Sequence, residues 1–228
     1  MKLENVTKRW YDDACGTALA LELVGERWAL LVVRELMYGP RRFGEIKANL
    51  AGISANVLTQ RLDGLARAGI VVRRKLPPPA SVQVYELTPW GAESEPIFQE
   101  MGRWATRSPA HDPMLPLSPA SAMMSLRTMI AARRGDLAMT IAFRFATDSF
   151  VAHLTPQELA IARGDTDDAE LVFACDPTTL VRIFYGKWPV VEAEAAGMLR
   201  FSGDRTRADA FIGLFALPAK IVPVHGDG

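Results

Sequence analysis

Arg41–Gly69, RRFGEIKANLAGISANVLTQRLDGLARAG, holds the pattern that decides the first half of the fold. It reads as two helices around a tight corner. The first covers about 43–50, and the corner is Ala51-Gly52-Ile53, where glycine supplies the positive φ such a turn often needs. Ser54 stands where an N-cap is wanted, its hydroxyl available to the unpaired amides of the first turn. Ile53, Leu58, Leu62 and Leu65 then recur at spacings of three to five, giving the second helix one face to bury. Its other face carries Asn56, Thr59, Gln60, Arg61 and Arg67, donors and charges suited to base edges and phosphates. The pattern is that of a helix-turn-helix with a recognition helix.

Two strand-like runs follow, 70–76 (IVVRRKL) and 82–87 (VQVYEL), on either side of Pro77-Pro78-Pro79-Ala80-Ser81. A basic hairpin just after a recognition helix makes the wing of a winged helix. Upstream, 28–37 (WALLVVRELM) is an apolar helix ended by Gly39-Pro40, with Arg34 and Glu35 expected on its solvent side. A shorter helix spans 18–24, and residues 1–14, with Trp10 and Tyr11, read as an arm that packs on a partner subunit. Downstream, Thr88-Pro89 opens a helix whose Ile97, Met101 and Trp104 form a stripe expected to pair two subunits.

Formal net charge is zero over 228 residues, which alone argues against a nucleic-acid binder, but the charge is uneven. Through Arg107 there are 15 basic and 12 acidic residues, and beyond it 11 and 14. Between Arg41 and Lys75, eight basic residues face only Glu45 and Asp63, a local excess fit for a phosphate backbone. A content of 49% hydrophobic and 23% charged residues is that of a globular chain. No apolar run suits a signal peptide or a membrane span, so a cytoplasmic protein is expected.

Several motifs in the first 107 residues resemble the HxlR-type bacterial transcriptional regulators, in the family's order. They are Cys15, Val24-Gly25-Glu26-Arg27-Trp28, 36–46 (LMYGPRRFGEI), 53–62 (ISANVLTQRL) and 85–91 (YELTPWG). The family usually carries lysine at the position of Ala55, so one positive contact at the helix start is missing. The resemblance implies a dimeric DNA-binding domain. Base contacts are expected from Ser54, Asn56, Thr59, Gln60 and Arg61, and phosphate contacts from Arg41, Arg42, Lys47, Arg73, Arg74 and Lys75. Arg61 has an alternative, an ion pair with a neighbouring acid. Cys15 matches a cysteine that some relatives use as a redox sensor. The residues themselves favour a buried structural thiol, since Asp12 and Asp13 would raise its pKa.

Residues 108–119 (SPAHDPMLPLSP) hold four prolines and read as a linker. Beyond it come a helix over 119–134 stopped by Gly135, four strands, a helix opened by Asp176-Pro177, a short strand over 198–202 and a last helix opened by Gly203-Asp204. The short turns between the strands suggest antiparallel hairpins. Leu171-Val172-Phe173-Ala174-Cys175-Asp176-Pro177-Thr178-Thr179-Leu180, with 197–204 (GMLRFSGD), is similar to the sterol-carrier-protein-type fold, over about 120–218. That resemblance implies an apolar tunnel. Met123, Met124, Phe143, Phe145, Phe184, Trp188, Phe201, Phe211 and Phe215 are candidates to line it, each more ordinarily a core residue.

The expectation is therefore an α+β chain: a winged helix-turn-helix and dimerisation domain over 1–107, a linker over 108–119, a sterol-carrier-like domain over 120–218, and a tail over 219–228. Its partners would be double-stranded DNA, a second copy of itself and an apolar small molecule. His111, His153 and His225 lie apart from any nucleophile or acid partner, so neither enzyme, cofactor nor metal is expected. The alternative is a carrier or sensor of apolar molecules whose winged helix mediates protein contacts.

Overall fold

The structure, a computed structural model, describes residues 11–132 and 134–222. Residues 1–10 of the arm expected over 1–14, and residues 223–228 with His225, lie outside them. The chain divides into two compact units: one ends at Leu36 and resumes over Pro40–Glu93, and the other takes Met37–Gly39 and everything from Ser94.

In the first unit, α1 (Gly16–Val24), α2 (Ala29–Leu36), α3 (Phe43–Asn49) and α4 (Ala55–Arg67) precede a hairpin of β1 (Val71–Lys75) and β2 (Gln83–Leu87). The hairpin pairs Val71 with Leu87 and Lys75 with Gln83, antiparallel. A short α5 (Pro89–Ala92) closes the unit, capped by the Thr88 hydroxyl, which accepts from Gly91 N. Val32, Val33, Leu36, Ile46, Leu58, Leu62 and Leu65 are all at most 2% exposed and form its core. Glu35 is also fully buried, against the expectation of a solvent side. A buried carboxylate needs partners. Arg34 Nη2 donates to it at 2.9 Å and Asn49 Nδ2 at 3.1 Å.

The helix expected from Thr88 onward is two helices. Pro96 can sit only in a first turn, so α6 (Glu95–Ala105) starts afresh with that proline inside it. α6 belongs to the second unit, ahead of the segment expected as a linker. Arg103 Nε donates to Thr128 O at 3.2 Å, and Arg127 pairs with Glu95 at 3.0 Å, tying it to α7 (Pro119–Met129). The expected linker is itself held: Lys220 Nζ donates to the carbonyls of Thr106, Ser108 and His111, and Ile221 N to Arg107 O at 2.8 Å.

α7 stops at Met129, well before Gly135, because Ile130 turns extended and bridges to Phe215. β3 (Met139–Arg144), β4 (Ser149–Leu154), β5 (Leu159–Arg163), β6 (Leu171–Cys175) and β7 (Leu199–Gly203) form one sheet in the order β5-β4-β3-β6-β7. Hairpins account for β3–β4 and β4–β5, β6 and β7 pair antiparallel across the two helices that join them, and β3 and β6 pair in parallel. The loop that crosses from β5 to β6 is gripped by Arg144 of β3, whose guanidinium donates to the Asp165 carboxylate and to Thr166 O. α8 (Pro177–Phe184) and α10 (Arg205–Ile212) are N-capped by the carboxylates of Asp176 and Asp204, which accept from Thr179 N and Arg207 N. The motifs that carried the second resemblance are thus helix starts. α9 (Val190–Ala195) was not expected.

Candidate nucleic-acid interface

α3, the corner and α4 take the helix-turn-helix form because three local choices agree. Leu50, Ile53, Leu58 and Leu62 are buried, Gly52 adopts φ +89°, and the Ser54 hydroxyl accepts from Val57 N at 3.2 Å. Burying that face leaves Ser54, Asn56, Thr59 and Gln60 exposed within the first two turns of α4. Thr59 Oγ1 donates to Ala55 O, so that hydroxyl faces outward mainly as an acceptor.

Of the eight basic residues between Arg41 and Lys75, Arg42, Lys47, Arg67, Arg73, Arg74 and Lys75 are exposed. The other two are not placed as expected. Arg41 is 7% exposed; its backbone pairs with Tyr85 (2.9 and 2.8 Å) and its guanidinium lies 3.8 Å from Glu45. It joins the wing to the start of α3. Arg61 is turned inward, its Nε donating to Arg27 O at 3.0 Å and its Nη2 2.8 Å from Glu26 Oε2. The neighbouring-acid alternative is the one realised. Sequence reasoning missed Glu26 and Arg27, which lie more than thirty positions upstream of Arg61.

On the wing, Arg73 donates to the Gln83 side chain and Arg74 pairs with Glu86, holding two guanidiniums across the hairpin. Arg73, Arg74, Lys75, Ser81 and Gln83 line an open groove there. This surface offers anion contacts beside a helix end rich in neutral donors and acceptors.

Cys15 is exposed and stands at the N-cap of α1, which overturns the buried-thiol reading. The nearby Thr17 amide and hydroxyl and the Ala18 amide, at the opening of α1, draw its pKa below the usual thiol value. The one opposing effect is desolvation, not the aspartates expected to raise it.

In the second unit, Met124, Phe143, Phe145, Phe184, Phe211 and Phe215 are buried, while Trp188 and Phe201 are half-buried. Phe184 meets Phe143, Phe173, Phe211 and Phe215 at centroid distances of 6.2, 5.5, 5.6 and 5.0 Å. Arg182 lies 4.4 Å over the Trp188 ring, and Arg205 5.7 Å over Phe201. These side chains touch one another, as core residues do. Lys187 was not anticipated; its ammonium takes the carbonyls of Phe184, Ile212 and Phe215 where two helices end. Among the described residues no three His, Cys, Asp or Glu side chains are grouped to hold a metal, and no helix is long and apolar enough to cross a membrane.

The model of the HxlR-like helix-turn-helix family matches residues 23–112, the stretch that holds α2 to α6. The HTH-type transcriptional regulator YodB of Bacillus subtilis (strain 168) is 41% identical over 86 residues, covering 38% of this chain and 77% of YodB. The chain belongs to the HxlR-like helix-turn-helix family. YvaP, an uncharacterised HTH-type regulator of the same organism, is 38% identical over 87 residues, 38% of this chain and 81% of YvaP. Among solved structures, reduced YodB from B. subtilis shares 36% identity, covering 44% of this chain and all of that one, with a TM-score of 0.39. Quinone-bound YodB shares 37%, covering 39% and 93%, with a TM-score of 0.35. As an HxlR-like protein the chain is a DNA-binding transcriptional regulator, and its matched relatives are regulators and not enzymes.

Proposed function

We propose that two copies of the chain bind a pseudo-palindromic operator in the cytoplasm and release or engage it in response to chemistry at Cys15. The observation that carries the DNA reading is the exposed polar end of α4, with Ser54, Asn56, Thr59 and Gln60, beside an exposed basic wing. Asn56 and Gln60 can each pair bidentately with adenine, and Arg42, Lys47, Arg73, Arg74 and Lys75 meet phosphate. Pairing of two copies uses the α6 stripe, in which Ile97, Met101 and Trp104 are 45, 49 and 77% exposed although large and apolar. A two-fold between the copies sets two recognition helices roughly 34–36 Å apart, one turn of the duplex.

Cys15 enters because its thiol is exposed and its thiolate favoured, the two conditions for attack on an oxidant or an electrophilic quinone. YodB has been solved with a quinone bound and after diamide treatment. In the second unit, we propose a sterol-carrier-like domain whose aromatic interior opens to an apolar ligand. The reading draws support from the two aspartate-capped helices that its motifs start and from the sheet they pack on.

Selection of bound sequences from a random duplex library, followed by affinity against salt, tests the DNA reading. A palindromic motif with a steep salt slope is expected. No enriched motif from reduced or quinone-treated protein would overturn it. Calorimetric titration of apolar ligands with and without the operator tests the second unit; equal affinities would refute coupling to DNA.

A further inference from the structure

The loop between α1 and α2 is strained and bolted to the back of the recognition helix. Trp28 sits at φ +77°, a left-handed conformation that a bulky side chain holds only where its surroundings enforce it. The surroundings are visible. Arg61 of α4 takes the Arg27 carbonyl at 3.0 Å and the Glu26 carboxylate at 2.8 Å, locking the two residues before Trp28. The Arg27 guanidinium covers the Trp28 ring at 5.3 Å. The far edge of that ring reaches the corner between α3 and α4, lying 3.9 Å from where a Cβ on Gly52 would stand. The loop therefore touches the recognition helix in its second turn and the corner just before its first.

We infer that Arg61 is a positioning residue for operator recognition: it fixes the seating of α4 through Glu26 and the Arg27 carbonyl and does not touch DNA. Its guanidinium is spent on the loop, and its side chain is only 19% exposed. Asn56 and Gln60 share its helix within about one turn, so a small rotation of α4 would take both out of bidentate reach. Such contacts tolerate errors of only ~0.5 Å. The inference rests on the DNA-binding reading.

Glu26→Gln, Arg61→Ala, Arg61→Lys and the Glu26→Gln/Arg61→Ala double variant are measured by fluorescence anisotropy on the selected operator and on a random duplex, over a salt series. Hydrogen exchange of the α4 amides is followed alongside. By simple electrostatics, removing the Glu26 carboxylate should tighten DNA binding. The bracket has the opposite consequence: Glu26→Gln weakens operator binding about five- to tenfold and leaves the random duplex no weaker. Arg61→Ala loses a similar factor, the double variant little more, and the operator salt slope holds. Arg61→Lys keeps the charge but cannot fork to both acceptors, and it follows Arg61→Ala in discrimination. In all four, α4 exchanges faster while the melting transition stays cooperative. Tighter or unchanged operator binding by Glu26→Gln would overturn the inference. So would a salt slope lowered by about one in Arg61→Ala, the mark of a lost phosphate contact. If the wild-type chain binds no duplex while α4 exchange still responds to Glu26→Gln, the DNA reading fails and the bracket is only a structural clamp.

Discussion

The two units of this chain put their chemistry on opposite sides of their surfaces. In the first, the informative residues point outward: a polar helix end, a basic hairpin and a thiol at a helix start. In the second, the exposed stripe of α6 apart, they point inward, where phenylalanines meet ring on ring and aspartates cap two helices. An outward arrangement lets side chains change without loss of fold. An inward one makes fold and any ligand site the same set of atoms.

The two cysteines give the sharpest form of that contrast. Cys15 is exposed and its thiolate is favoured by the amides of α1; Cys175 is half-buried, and burial, with Asp176 beside it, pushes its pKa up to about 12. Reaction with iodoacetamide at pH 7.5 is expected to label Cys15 far faster, by about tenfold or more, since only an accessible thiolate attacks. The Cys15 rate should climb at lower pH than that of free cysteine, because its folded pKa lies below the ordinary value. Mass spectrometry of timed digests checks both. Comparable rates, or a free-cysteine pH profile at Cys15, would remove the electrophile-sensing role.

Next in size is a truncation in each unit. Phe184→Ala leaves four rings without their common neighbour and should destabilise the second unit by about 3–5 kcal/mol, read from guanidinium unfolding. Gln60→Ala, on an exposed helix face, should leave stability within about 0.5 kcal/mol and weaken operator binding by about 1–3 kcal/mol. A rise in the wild-type unfolding midpoint with added apolar ligand would show the interior to be a binding site as well as a core, since Phe184→Ala opens a cavity that can take such a ligand by itself.

How far the sequence reveals each unit follows the same division. The helix-turn-helix is legible because its determinants are local: Gly52, Ser54 and the leucines up to Leu65 lie within fourteen residues and agree. The partners of Arg61 are not legible, since nothing in a periodic pattern says that a guanidinium on α4 will find a loop before α2. Glu35 escapes notice for a similar reason; its burial depends on Asn49, fourteen residues on, in another helix. In the second unit the strands show in their alternation, yet alternation does not say which strand lies beside which. The parallel β3–β6 pairing is such a case, and the contact of Arg144 with the crossover loop is equally non-local. The exposure of Cys15 is not legible either, and what lowers its pKa is the start of the helix that follows it, not the acids that precede it.

The smallest expected effect separates fold from function at a single atom. Ser54 Oγ accepts from Val57 N and so caps α4, and the same exposed hydroxyl is a candidate DNA contact. Ser54→Ala removes both roles, with about 1 kcal/mol lost from stability through the cap alone. Ser54→Asp keeps an acceptor at that position, and its charge suits a helix N-terminus, so stability should hold or rise slightly. The carboxylate would stand against the phosphates, however, and operator affinity should fall below that of Ser54→Ala. The two variants therefore change order between a melting curve and a binding curve. If they keep the same order in both, Ser54 acts on DNA only through the stability of its helix, and the readout begins at Asn56.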